Sequence, residues 1–252
     1  MRLEEMSWPT ASSVSRDLPV VVPIAAVEQH GAHLPVFTDS MLLGEVVRRS
    51  AEVLGDSIVW TPLLWLGNSH HHMDFAGTLS AGPRTYLDLL GDLIENLLTH
   101  GFRRIVLLNG HGGNITPAAQ AVFEARQRHR ERDDLLLLSA TYWLLGKQPV
   151  DLGSGFVQSS MGHACEWETS MILRLAPHLV GDYKGAESVP TGDPFEPASR
   201  GWITNERSAR GHIGVPSQAT PEKGEFLFSR FSQDVAAFLN RVTAWDGRAW
   251  GA

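Results

Sequence analysis

Short apolar runs alternate along the chain with longer segments whose apolar residues recur at helical spacing, and this alternation most strongly limits the fold. The apolar runs predict buried strands at residues 19–27, 57–62, 104–108 and 134–142. The amphipathic segments predict helices at residues 39–54, 86–98, 117–132, 161–177 and 220–242. Strands that are separated by helices pair in parallel, with right-handed crossovers. The sequence therefore predicts an α/β fold in which helices cover both faces of a mostly parallel sheet.

Composition narrows the class of protein. The 252 residues, 43% of them hydrophobic, fit one α/β domain. A net charge of −7 argues against nucleic acid or an anionic membrane surface as the main partner. No apolar run approaches the roughly 18–20 residues that span a bilayer. The single cysteine, Cys165, rules out an intrachain disulfide, and the charged N-terminus lacks the apolar stretch of a signal peptide. We expect a single cytoplasmic domain.

Two carboxylates and two imidazoles follow the first predicted strand within residues 28–39. The carboxylates are Glu28 and Asp39, and the imidazoles are His30 and His33. Glu28 and His30 are two residues apart, so they point the same way if the strand continues through them. Oxygen and nitrogen donors together suit Zn²⁺ or Mn²⁺ better than Ca²⁺. The segment therefore indicates a metal site, and the alternative is a polar loop that leaves a strand.

Two further segments carry acids or imidazoles. The run Asn-Gly-His-Gly-Gly-Asn at residues 109–114 follows the predicted strand 104–108 and contains His111. Functional loops of parallel sheets gather at the carboxyl ends of the strands, so His111 is expected at the same edge as residues 28–39. The third segment opens the predicted helix at residues 161–177, with His163 at its start and Glu168 in its first turns.

Taken together, these segments resemble the creatininase (creatinine amidohydrolase) family. The resemblance rests on residues 27–35 with Asp39, on residues 109–114 and on residues 163–170, with supporting matches at residues 67–78 and 211–220. The segments keep the family's order over nearly the whole chain. The resemblance implies a metal-dependent amidohydrolase on a three-layer α/β/α sandwich, often assembled as a homo-hexamer. The implied partner is a small-molecule amide substrate.

The resemblance also implies a centre of two divalent ions. The implied ligands are Glu28, His30, Asp39, His111 and Glu168. In one arrangement, Asp39 would bridge the ions, one of which also binds Glu28 and His111, and the other His30 and Glu168. Glu166 is the alternative to Glu168 at the second ion. Zn²⁺ is the expected metal, with Mn²⁺ or Fe²⁺ as alternatives.

The chain departs from the creatinine-hydrolysing enzymes at Gly112 and Gly113, where they carry Tyr and a metal-binding Glu. Creatinine is therefore not the expected substrate. The Gly-Gly form resembles relatives that open formamide bonds in flavin-type precursors and others that trim a modified peptide. The substrate stays open among cyclic amides, formamides and peptide-like amides. Residues 179–219, a long Gly- and Pro-rich segment, are expected to set the specificity as a lid, a binding segment or a subunit contact.

Catalytic roles are assigned by chemistry. Two divalent ions lower the pKa of water and polarise an amide carbonyl, and His163 would pass a proton to the leaving nitrogen. Glu166 is the alternative general base. A competing hypothesis is a thiol hydrolase with Cys165 as nucleophile and His163 as base. A non-enzymatic alternative is a metal-bound scaffold or regulatory subunit, which Gly113 favours.

Overall fold

A computed structural model describes residues 1–152, 155–195, 197–248 and 250. Its strands form one parallel sheet in the order β2-β1-β3-β4. They are β1 (Val20–Ile24), β2 (Val59–Trp60), β3 (Arg104–Asn109) and β4 (Leu136–Thr141). The helices are α1 (Trp8–Ser13), α2 (Thr38–Leu54), α3 (Pro83–Thr99), α4 (Ile115–Arg128), α5 (Glu166–Leu175), α6 (Thr204–Arg207) and α7 (Pro221–Thr243).

Alternate residues of the central strands feed two apolar cores. Val21 and Val106 pack with residues of α2, α5 and α7 on one face of the sheet. Val22 and Ile105 pack with residues of α3 and α4 on the other face. Strands β1 and β3 are buried along their paired residues because helices cover both faces of the sheet. Their sequences are therefore almost continuously apolar rather than alternating. The predicted three-layer α/β/α sandwich is confirmed.

Several predicted boundaries differ from the structure, including the end of the first strand, which is Ile24 rather than residue 27. The second strand has only two residues, and α4 ends at Arg128 rather than near residue 132. The helix that was expected to include His163 begins at Glu166 instead. His163 stays extended because its backbone exchanges hydrogen bonds with Ile213, at 3.0 and 2.7 Å. Ala164 then adopts a left-handed φ of 47°, which breaks the chain direction before α5 starts.

The segment 179–219 is mostly irregular but is tied to the rest of the fold. Gly181 donates to the carbonyl of His33, and Val189 and Gly214 exchange backbone hydrogen bonds. It contains the short helix α6, whose Thr204 is buried. Among the described residues, no helix combines the length and apolarity needed to cross a membrane.

Candidate metal centre

The predicted ligands converge at the carboxyl edge of the sheet. Glu28 and His30 follow β1, and His111 follows β3. Asp39 lies in the first turn of α2, and Glu168 lies in the first turn of α5. All five side chains are buried. The fold therefore brings together side chains that are up to 140 positions apart in the sequence, between Glu28 and Glu168.

Asp39 stands between two imidazoles. Its Oδ1 lies 3.1 Å from Nε2 of His30, and its Oδ2 lies 3.0 Å from Nδ1 of His111. On the His30 side, Glu168 Oε1 is 3.6 Å from the same Nε2. On the His111 side, Glu28 Oε1 is 3.3 Å from the same Nδ1. Asp39 thus belongs to two groups of candidate ligands. One group also contains His30 and Glu168, and the other also contains His111 and Glu28.

Backbone carbonyls orient both imidazoles. His30 Nδ1 donates to the carbonyl of Glu28 at 3.1 Å, and His111 Nε2 donates to the carbonyl of Asn68 at 3.1 Å. Each ring therefore turns its other nitrogen toward the carboxylates. Histidines that bind metal ions are commonly held this way, with the outer N–H on a carbonyl and the inner lone pair free.

Three inward atoms lack a hydrogen-bond partner within the part of the chain that the structure describes: Glu28 Oε2, His30 Nε2 and Asp39 Oδ2. Buried polar atoms without partners are costly, whether they are carboxylate oxygens or imidazole nitrogens. A divalent cation would satisfy both kinds of atom at once. The donor set of carboxylate oxygens and imidazole nitrogens therefore fits Zn²⁺ or Mn²⁺.

The charges in the cluster are strongly coupled. Burial raises the pKa of Glu28 and Asp39, but the neighbouring imidazoles outweigh it, so both pKa values are lowered. Burial lowers the pKa of His30 and His111, but the carboxylates outweigh it; the pKa of His111 rises to about 10. Without an ion, protons therefore hold the carboxylates and imidazoles together. Metal binding must displace those protons.

His163 faces the same cluster. Its Nε2 donates to the carbonyl of Gln29 at 2.7 Å, which turns Nδ1 toward Glu28 Oε1 at 3.6 Å. Burial, with the charges of His30 and His72, holds the pKa of His163 well below its ordinary value. The ring is therefore neutral near pH 7, with a lone pair on Nδ1 that faces the cluster.

Glu166 does not share this location. Its Oε1 lies 2.5 Å from Lys223 Nζ, and its Oε2 accepts the backbone N–H groups of Val157 and Gln158 at 2.9 and 2.8 Å. Both carboxylate oxygens are therefore committed to a cation and to backbone donors. That arrangement is structural, and it does not suit a general base that must accept a proton from water or substrate.

Cys165 is fully buried, and burial raises the pKa of its thiol to about 12. Its Sγ accepts from the N–H of Gly162 at 3.4 Å and caps α5. A reactive cysteine needs thiolate character and access. The structure therefore disfavours the thiol hydrolase hypothesis.

A cavity of about 860 Å³ opens onto the cluster. Trp143 and Trp202 line it, whereas Trp167 lies in the apolar core. Its outer wall includes three arginines: Arg84, Arg200 and Arg207. Within the described residues none of the three pairs with a carboxylate; Arg200 and Arg207 donate to backbone carbonyls at 3.1 and 2.8 Å. The wall is thus electropositive although the chain as a whole is acidic.

The histidine run at residues 70–72 contributes more than the sequence indicated. His72 is buried, and its Nε2 lies 3.3 Å from Glu28 Oε1. His71 was not assigned a role, yet its ring reaches Glu28 and His111 closely enough for one ion to bind all three. The only sequence signal was the run itself, which does not say where each ring points.

Comparisons with known proteins give the family. The family model described as creatinine amidohydrolase matches residues 4–239. A mycofactocin precursor peptide peptidase from Mycolicibacterium smegmatis is 30% identical over 233 residues, which cover 90% of this chain and 85% of that protein. The creatinine amidohydrolase of Pseudomonas putida is 28% identical over 246 residues, which cover 92% of this chain and 93% of that protein. Solved creatininase structures in a manganese form and a Zn-Zn form each have a TM-score of 0.80 at 28% identity, covering 95% of this chain and 97% of theirs.

Fold, site and relatives agree on the class of protein. A buried group of acids and imidazoles at the edge of a parallel sheet, open to a cavity, defines a metal-dependent hydrolase. The chain belongs to the creatininase family. Its relatives include a creatinine amidohydrolase and a mycofactocin precursor peptide peptidase, which their names describe as hydrolases. The hypothesis of a non-catalytic scaffold is therefore not favoured.

Proposed function

We propose that the protein hydrolyses a small amide with two divalent ions. One ion would bind Glu28 and His111, the other would bind His30 and Glu168, and Asp39 would bridge them. The observation that carries this proposal is Asp39, which presents one oxygen to each of two inward-facing imidazole nitrogens. Zn²⁺ is the proposed metal, and Mn²⁺ or Fe²⁺ would suit the same donors.

Each part of the site has a separate task. Bound divalent ions lower the pKa of water and polarise an amide carbonyl. His163 would accept a proton on Nδ1 and deliver it to the leaving nitrogen, because its neutral ring already faces the cluster. The carbonyl of Gln29 fixes which nitrogen does this work, since it holds the N–H at Nε2.

The outer wall supports a substrate amide that carries an anionic group. Burial lowers the pKa of Arg207, and the charge of the nearby Arg200 lowers it further. The Arg207 guanidinium also lies 4.5 Å from the ring centroid of Trp202, which keeps it over the cavity. Guanidinium groups without acidic partners bind carboxylates well. We place the anionic group at this wall and the scissile amide at the metal cluster.

The remaining features follow the family resemblance. The proposal takes residues 1–252 as one amidohydrolase domain, and the family match over residues 4–239 supports it. It takes the protein as a cytoplasmic homo-oligomer, with six subunits as the expected number, that binds neither nucleic acid nor membranes. The net charge of −7 supports the last point.

The test uses protein loaded with Zn²⁺ and a panel of cyclic amides, formamides and short peptides. Peptides are offered with a free C-terminal carboxylate and with the carboxylate amidated. We expect hydrolysis of at least one class, loss of activity in a chelator, and recovery on adding metal. Asp39→Asn serves as the inactive variant for comparison and should lose both ions and turnover. A Zn²⁺-loaded wild-type protein that leaves the whole panel intact would contradict the proposal.

A further inference from the structure

Gly113 borders the metal cluster, and the space beside it is already filled. A methyl group added at Gly113 would collide with the carbonyl of Asn68 and lie 2.5 Å from His111 Nε2. It would also lie 2.9 Å from Cε1 of His71. The absence of a side chain at position 113 therefore lets two imidazoles occupy this wall. One of them, His111, is already among the proposed ligands.

His71 is held toward the cluster by its neighbours. Its ring lies nearly parallel to that of His111, with 5.8 Å between centroids and 10° between planes. The rings of His72 and Trp202 contact it at centroid distances of 4.2 and 4.8 Å. In the described part of the chain its ring nitrogens have no hydrogen-bond or ion-pair partner. The ring is thus positioned by packing, and its nitrogens are free to bind a ligand.

The distances suit one ion. One potential ligand atom from each of Glu28, His71 and His111 lies within 4.8 Å of the others. Ligand atoms that each lie 2.0–2.2 Å from one ion are at most about 4.4 Å apart, so small side-chain movements would let these three atoms share a cation. His71 lines the cavity, so an ion bound here would still face substrate.

We infer that His71 is a metal ligand, and that it completes the shell of the ion bound by Glu28 and His111. The inference rests on the proposed metal-dependent function. It assigns to an imidazole the place next to Gly113, which has no side chain of its own to bind a metal ion. A neutral nitrogen in place of a carboxylate leaves more positive charge on the ion and favours Zn²⁺ over Mn²⁺.

The experiment measures metal binding rather than turnover. His71→Ala is compared with wild type and with His70→Ala, a matched control because His70 is adjacent, exposed and bonded through Nδ1 to Ser80 at 2.8 Å. Bound ions are counted by elemental analysis, and Zn²⁺ affinity is measured by competition with a chromogenic chelator. The visible spectrum of the Co²⁺ form reports the ligand geometry.

We expect wild type and His70→Ala to bind two ions. His71→Ala should bind one of them more than about 100-fold more weakly, beyond the roughly 10–100-fold typical of losing a residue that only supports a ligand, and with a changed Co²⁺ spectrum. His71→Glu should restore the affinity, because a carboxylate can also ligate. This rescue separates ligation from packing, and circular dichroism of the ion-free variants checks that each is folded.

Unchanged affinity and an unchanged Co²⁺ spectrum in His71→Ala would overturn the inference while leaving the two-ion hydrolase intact. Failure of His71→Glu to restore a lost affinity would also overturn it, by showing that the ring only packs. A wild-type protein that binds no divalent ion would instead overturn the proposed function itself.

Discussion

Replacing Lys223 by Met should destabilise the fold while leaving the metal centre occupied. Glu166 is fully buried, and Lys223 Nζ lies 2.5 Å from its Oε1. Among the described residues, the other oxygen accepts only the backbone N–H groups of Val157 and Gln158. Lys223→Met therefore leaves a buried carboxylate without its cation.

The magnitude follows from that geometry. Removing one partner of a buried ion pair costs about 3–5 kcal/mol, because the remaining charge is not compensated. Two backbone hydrogen bonds to Glu166 persist, and 16% of the Lys223 side chain is exposed, so we expect about 3 kcal/mol. For a chain of this size each kcal/mol lowers Tm by about 2–4 °C, which gives a fall of roughly 6–12 °C.

Thermal unfolding of the ion-free protein, followed by circular dichroism, measures the effect. The double variant Glu166→Gln/Lys223→Met should recover most of the lost stability, because it removes the uncompensated charge. Lys184→Met is the matched control, since Lys184 is exposed and, within the described residues, donates only to the carbonyl of Ser217. Its Tm should stay within about 2 °C of wild type.

Two results would refute this reasoning. One is a Lys223→Met variant with the Tm of wild type. The other is a Glu166→Gln variant that keeps its stability and bound ions but loses turnover, which would return Glu166 to the role of general base.

Three further predictions concern the reaction. His163→Ala should lower kcat by about 10²–10⁴-fold with the ion count unchanged, measured by steady-state kinetics and elemental analysis; loss of ions would make His163 a ligand instead. At pH 8, iodoacetamide should not alkylate Cys165 in the folded protein, because a pKa of about 12 keeps the buried thiol protonated. Mass spectrometry measures the alkylation. Rapid alkylation with loss of activity would restore the thiol hypothesis. Arg207→Gln should raise KM about tenfold for amides that carry a carboxylate, and the tenfold change corresponds to about 1.4 kcal/mol. KM for the amidated counterparts should not change. An equal change for both kinds of substrate would contradict the proposed anionic group.

The sequence determined the layered architecture and which segments meet. Strand and helix periodicity are local properties, and parallel pairing follows from their alternation, so the carboxyl edge of the sheet was foreseeable. The loops after β1 and β3 had to lie there, which brought Glu28, His30 and His111 to one edge. Their proximity thus needed no knowledge of side-chain packing, and their roles as ligands stay predictions.

Tertiary structure decided which neighbouring residues face the cluster. Glu166 and Glu168 are two positions apart on α5, about 200° around the helix axis, so only one of them can face the site. Because α5 packs against α7, Glu166 faces Lys223, which is 57 positions away along the sequence. Glu168 therefore faces His30. In the same way, a tight turn directs His70 to Ser80, whereas His71 and His72 both face the cluster. The rotation of a helix or turn about its axis is set by distant partners, and no local pattern encodes it.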